Sequence, residues 1–257
     1  MNKEEYLKEL DKAFGDFKFF PEDHHYEYKG ETIELGVTTF IEQYANEFDA
    51  EMIAKRIATK NNRSVEEILK NWEYKRDFSC EKGTNGHCKA QSLWNNEIYR
   101  PLHFDGSEAF KKVNEAIYKQ AIDFYNDYKD KLEHLADEYV IGDVQCNLAS
   151  CIDHIFISRL TRGLILVDYK TNSEMYKNEK YAKPMKAPLQ HLKDTKINHY
   201  ALQLSIYKYL VETHTDLKFE DMFIVWFSEL NENYKIIRVP YLKNEVNEIL
   251  ERRKWGF

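Results

Sequence analysis

The chain has 257 residues and a formal net charge of −7, with 32% charged and 43% hydrophobic residues. That length suits one large domain, and the composition is that of a soluble globular protein rather than a disordered one. The negative charge argues against DNA binding spread over the whole surface, and 9 Gly with 5 Pro argue against collagen-like, low-complexity and turn-dense all-β classes.

The opening segment MNKEEYLKEL lacks the apolar stretch of a secretory leader, and no apolar run approaches the roughly 18–20 residues of a membrane span. Four cysteines in a chain this long are no disulfide framework. Cytoplasmic residence with reduced thiols is therefore expected, with no membrane partner. Residues 2–14 read as an amphipathic helix. Residues 24–36 alternate on either side of Lys29-Gly30, which predicts a hairpin turning at the glycine. Thr38 or Thr39 is placed to cap a helix carrying Phe40, Ile41 and Tyr44, and a second helix is expected from about Asp49 to Lys60. Ser64 and Glu67 form a capping-box pattern ahead of Ile68, Leu69 and Trp72. The helix they open is expected to reach about Asn95, interrupted or kinked near Gly83 and Gly86, and another to span Ser107 to Leu135.

The second half changes period. Glu138–Gln145, Ala149–Arg159 and Leu164–Tyr169 read as strands, followed by a lysine-rich loop at about 172–191 and a helix from about Leu192 to Thr213. Two more strands, Phe223–Ser228 and Tyr234–Pro240, precede a last helix over Lys243–Lys254. This order predicts a single α/β (α+β) domain over 1–257, with a mainly helical part at 1–135 and a core at 136–257.

Two acidic residues interrupt apolar runs of high β-propensity: Asp153 in ASCIDHIF and Asp168 in LILVDYKT. A carboxylate there is costly to bury unless it is paired or binds a metal. Asp168 and Lys170 are two apart, so on a strand they share a face, and a hairpin of the two runs would set Asp153 beside them. Two carboxylates converging with an ammonium suit a hard cation such as Mg²⁺ or Mn²⁺. The segment Tyr176–Lys196 carries Lys177, Lys180, Lys183, Lys186, Lys193 and Lys196 against one Glu and one Asp, a net +4 in an acidic protein. A basic loop beside an acidic site fits a phosphate-tracking groove, and Tyr176 and Tyr181 among the lysines are placed to stack on unpaired bases.

These elements resemble the PD-(D/E)XK nucleases, and more narrowly the RecB-type exonuclease branch that includes phage recombination exonucleases and the mitochondrial genome maintenance exonuclease. Asp153 matches the first acidic position, Asp168-Tyr169-Lys170 the (D/E)XK element, and Gln203 with Tyr207 the QxxxY element of the following helix. His87 matches an upstream helical histidine, and Glu138 an acidic residue one strand before the first aspartate. The branch usually has glycine three residues before that aspartate, where this chain has Ser150. The resemblance spans about residues 37–211 and implies a restriction-endonuclease-like core, a mixed central sheet flanked by helices with a helical N-terminal elaboration.

It further implies metal-dependent hydrolysis of phosphodiester bonds at linear or single-stranded DNA ends, in recombination, repair or phage DNA processing. One or two Mg²⁺ or Mn²⁺ ions would be held by Asp153, Asp168, the Tyr169 backbone carbonyl and His87, with Glu138 as a further ligand. Lys170 would orient the attacking water. Gln203 and Tyr207 would position the site or contact DNA, with His199 on the same helical stripe. Thr171, Tyr176, Tyr181 and the lysines from Lys177 to Lys186 would meet the DNA, and recombination or single-strand-binding proteins are candidate partners. Some relatives carry an iron–sulfur cluster on one upstream and three C-terminal cysteines. Here Cys80, Cys88, Cys146 and Cys151 all precede residue 152, so no such cluster is expected. Rival readings are a structure- or site-specific endonuclease of the same fold and a non-catalytic DNA-binding or interaction module. No Walker or GxSxG motif is present.

Overall fold

The structure, a computed structural model, describes residues 1–101, 106–176 and 179–256. Helix α1 (Lys3–Phe14) starts at a reciprocal cap: Asn2 accepts from the Glu5 backbone N–H while the Glu5 carboxylate accepts from that of Asn2. Strands β1 (Phe17–Phe20), β2 (His25–Tyr28) and β3 (Glu31–Ile33) form a three-stranded antiparallel sheet. The expected turn is present between β2 and β3, with Lys29 and Gly30 at φ of 52° and 84°, the paired positive values of a type I′ turn. The aromatic run of β1 completes that sheet as a strand additional to the expected hairpin.

After the short strand β4 (Leu35–Gly36), helix α2 (Val37–Glu42) is capped by Gly36 rather than by a threonine. Val37 is buried and Thr38 and Thr39 are exposed, so burial of the apolar side sets where this helix begins. Helix α3 (Ala50–Asn61) is capped by Asp49, and α4 (Val65–Asn95) by Ser64. Over its 31 residues α4 passes Gly83 and Gly86 without interruption. These glycines serve close approach: a Cβ on Gly86 would stand 2.7 Å from Thr171 Cγ2 and 3.1 Å from Ile117 Cγ2.

Helix α5 (Glu108–Tyr128) stops short of the expected Leu135, and β5 (Leu132–Asp143) begins there instead. The pairing of β5 with β6 (Leu148–Ser158) shifts between His134 and Ala136, a bulge that buries both Leu132 and Leu135. Their three-residue spacing mimics a helix, and the extra residue erases the period of two.

The six-stranded mixed sheet has the order β4-β6-β7-β8-β9, with β5 also on β6; β7 is Leu164–Lys170, β8 Phe219–Trp226 and β9 Lys235–Arg238. β5 lines one edge of β6 along almost its whole length. The other edge is shared, with β4 pairing at Leu148 and Ala149 and β7 at His154 to Ile157. β7 reaches its parallel neighbour β8 through α6 (Lys196–His214). Residues Ala201–Tyr207 of α6 are all buried, because the helix lies between the sheet on one side and α2 and α7 (Lys243–Trp255) on the other. α4 and α5 cover the opposite face, where Ile117, Ala121 and Phe124 pack on Phe156, Val167, Tyr169 and Val225. The lysine-rich segment runs on to Thr195, pinned by buried Met175, Met185 and Leu189. No helix among the described residues is long and apolar enough to cross a membrane.

The two glycines of α4 predict opposite outcomes. Gly86→Val should destabilise the protein by about 1–3 kcal/mol, because the branched side chain overpacks against Thr171 and Ile117. At Gly83 an added Cβ meets Thr171 Oγ1 at an ordinary 3.6 Å, so Gly83→Ala should stabilise by up to about 1 kcal/mol through helix propensity. Urea titrations of the two variants check both signs.

Candidate metal centre

The site lies where β6 and β7 part. Their ladder ends at His154 opposite Val167, although both strands continue. Beyond that point the Asp153 carboxylate replaces the ladder, accepting the Tyr169 backbone N–H at 2.9 Å. Between the stretches paired with β4 and β7, Ser150 to Asp153 have no strand partner on that edge of β6; Ser150 meets Tyr207 of α6 and Asp153 meets His87 of α4.

Asp153 is met from two sides. His87 of α4 places Nδ1 3.3 Å from Asp153 Oδ2. Glu138 of β5 completes a trio in which one ligand atom from each residue lies within 4.8 Å of the others. Glu138 has a φ of 45°, and among the described non-glycine residues with positive φ it alone lies inside a strand. The ladder skips it, pairing Asp137 with His154 and Tyr139 with Ile152. Left-handed backbone costs a glutamate roughly 1–3 kcal/mol and concentrates at functional sites.

Asp168 stands next to the trio on β7 and is 1% exposed. Lys170 Nζ lies 2.6 Å from its Oδ2 as an ion pair, off the direction of a hydrogen bond, and no other described group bonds either oxygen. A buried carboxylate whose one close partner is an ammonium keeps acceptor capacity on both oxygens. Burial pushes Asp168 up to about 6, with the Asp153 charge adding to the shift and Lys170 opposing it. Glu138 is pushed up to about 7, first by burial of its carboxyl end and then by Asp153. The residue as a whole is exposed, so solvent screening trims the size of that shift and leaves its sign. Burial works against the Lys170 charge, but Asp168 and Asp153 outweigh it and hold its pKa above the usual lysine value. Its ammonium also sits 4.6 Å from the centre of the Tyr200 ring. Carboxylate oxygens with one imidazole nitrogen fit Mg²⁺ or, better, Mn²⁺.

The other expected residues divide. Tyr207 is 1% exposed; its hydroxyl accepts from Gln203 Nε2 at 2.7 Å and bonds Ser150 Oγ at 2.9 Å. It is therefore a tie between α6 and β6, out of reach of DNA, and the serine in the usual glycine position is its partner. Thr171 is buried, with its methyl against Gly86, so it packs α4 on β7 rather than offering a free contact. His199 bonds Asp194 and stays with the loop. Lys180 and Lys183 are exposed, Tyr176 is half exposed with its ring edge-on to Trp226, and Tyr181 is 81% exposed. Lys186 is paired with Glu47 at 3.1 Å, and Lys177 lies outside the described residues.

Several polar groups around the site were not anticipated. Lys82, 2% exposed, bonds Ser173 at 3.0 Å and Glu229 at 3.2 Å, tying α4 to the segments that follow β7 and β8. Behind Asp153, on the reverse face of β6, His154 is fully buried with both ring nitrogens unpartnered among the described residues. Burial holds it neutral, pushed down to about 3. Gln91, one turn beyond His87, donates to Glu138 Oε1 at 2.6 Å. The four-residue step from His87 was the available sequence signal for Gln91. A buried lysine carries no such signal.

Glu138→Gln tests the crowding of the carboxylates. A carboxyl whose folded pKa lies above its reference of 4.5 costs stability as pH rises past that reference, and the cost is complete above about 7. In EDTA the stability advantage of Glu138→Gln over wild type should therefore grow between pH 5 and pH 8, read as urea midpoints. Tyr207→Phe should cost about 1–3 kcal/mol at either pH, because it strands Ser150 Oγ and Gln203 Nε2 in the interior.

No family model matches the chain, and no curated protein matches its sequence. Among solved structures, the crystal structure of SSO0001 aligns at 14% identity over 66% of this chain and 71% of that one, with a TM-score of 0.29. A likeness that slight carries no argument about chemistry.

Proposed function

We propose that the protein is a Mg²⁺- or Mn²⁺-dependent deoxyribonuclease of the PD-(D/E)XK type, acting as an exonuclease on linear or single-stranded DNA ends. The observation that carries the reading is the meeting of His87, Glu138 and Asp153 beside the nearly bare Asp168 carboxylate and Lys170, at the break between β6 and β7.

His87, Asp153, Asp168 and Glu138 would hold the cation, with the Tyr169 carbonyl beside them. A divalent ion in such a site supplies an activated water and neutralises charge on the scissile phosphate. Asp153, fixed by the Tyr169 N–H, keeps one ligand direction rigid. Lys170 lies within the carboxylate cluster with its charge strengthened, so it can orient the attacking water and offset negative charge developing on the phosphate. Tyr207, Gln203 and Ser150 hold α6 against the strand that bears Asp153. Lys180 and Lys183, with Tyr176 and Tyr181, offer charge and ring faces to a DNA strand leaving the site. The wider setting of this reading is recombination, repair or phage DNA processing.

The test is digestion of end-labelled linear DNA with Mg²⁺, Mn²⁺ or EDTA, using wild type, Lys170→Ala and Asp168→Asn. Cleavage should require the metal and fall at least 100-fold in either variant, while Lys170→Ala still retards the DNA in a gel. Closed circular single-stranded DNA should survive; its cleavage would identify an endonuclease of the same chemistry. DNA retained but uncut by wild type with Mn²⁺ would reduce the protein to a binding module.

A further inference from the structure

The strained glutamate of β5 is gripped from α4 at two adjacent points. Gln91 Nε2 donates to Glu138 Oε1 at 2.6 Å. One turn later, Asn95 Nδ2 donates to Asp137 Oδ2 at 2.9 Å. His87, Gln91 and Asn95 are spaced by four residues, so they follow one another along one side of α4. Asp137 and Glu138 are consecutive, and the chain turns left-handed at the second of them. Such a conformation in a glutamate persists only where the surroundings over-determine it.

We propose that Gln91 and Asn95 are positioning residues, a two-point amide clamp that holds the Asp137–Glu138 unit in its left-handed turn and so keeps the Glu138 carboxylate in the cation site. The inference rests on the reading of His87, Glu138 and Asp153 as that site. Amides suit the task because they donate hydrogen bonds without bringing charge. An ammonium at position 91 would compete with the cation for Glu138, and a carboxylate there would repel it. The Gln91 bond occupies Oε1 and leaves Oε2 for a metal. The Asn95 bond lies next to a second constraint, the approach of His134 Nε2 to within 3.5 Å of Asp137 Oδ1. The same helix that supplies His87 thus also fixes the residue opposite it, so movement of α4 would shift both ligands together.

The experiment measures Mn²⁺ binding to the full chain by calorimetry and by the electron paramagnetic resonance of free Mn²⁺, which needs no DNA and no turnover. Gln91→Leu and Asn95→Leu should each raise the Mn²⁺ dissociation constant about 10–100-fold, the usual effect of removing a group that orients a metal ligand. Asn95→Gln, which keeps an amide donor, should recover part of the loss. Near-UV circular dichroism and thermal melting report the folded fraction, and affinities are compared per folded chain. Variants that melt earlier yet bind Mn²⁺ as wild type does would overturn the clamp and leave the cation site standing. A wild-type chain that binds no Mn²⁺ would overturn the cation site, and the clamp with it.

Discussion

The parting of β6 from β7 is the constraint on which the rest depends. Two antiparallel strands that stayed paired would bury Asp153 and Asp168 face to face with their backbones saturated. Here the ladder stops at His154 and Val167, and the freed Tyr169 N–H is taken by the Asp153 side chain. That one bond satisfies a buried donor, orients a carboxylate and leaves room beside it for His87. The strands can part because each has another partner: β5 runs along the far edge of β6, and β8 follows β7 in parallel as far as Lys170.

Opening the sheet at that point leaves charge in the interior, and the surrounding elements are arranged around the cost. Asp168 and Glu138 are both pushed toward their neutral forms by burial and by Asp153, while Lys170 is held charged by the same carboxylates. Lys170 alone does not balance three acidic groups. The upward shifts of Asp168 and Glu138 relieve part of the remaining charge by favouring their protonated forms. The buried Lys82–Ser173–Glu229 network locks α4 over the ends of β7 and β8, so the helix bearing His87 is fixed by a satisfied ion pair.

Much of this was legible from residue order. Asp153 and Asp168 interrupt β-prone apolar runs, period-two geometry sets Asp168 and Lys170 on one face, and a hairpin of the two runs brings Asp153 beside them; the capping residues Asn2, Asp49, Ser64 and Ser107 mark helix starts through hydrogen bonds local to the chain. What escaped depends on distant packing. The bulge at Leu135 disguised a strand as a helix, the glycines of α4 reflect the approach of Thr171, and Glu138's left-handed backbone has no signature in its neighbours. The basic segment was visible as composition, but not that Lys186 would be drawn to Glu47.

Net charge and local charge separate for a structural reason. A loop with five lysines would stay loose if repulsion alone governed it. Met175, Met185 and Leu189 instead root it in the core, Asp194 fastens it to Asn46, and Trp226 Nε1 holds its first turn through the Asn172 carbonyl. Rooting leaves Lys180, Lys183 and Tyr181 outward. The buried acidic residues and the exposed basic ones then act at different ranges. Exposed charge at the rim is felt across a Debye length of about 8–10 Å, whereas the buried carboxylates act mainly on the groups in contact with them.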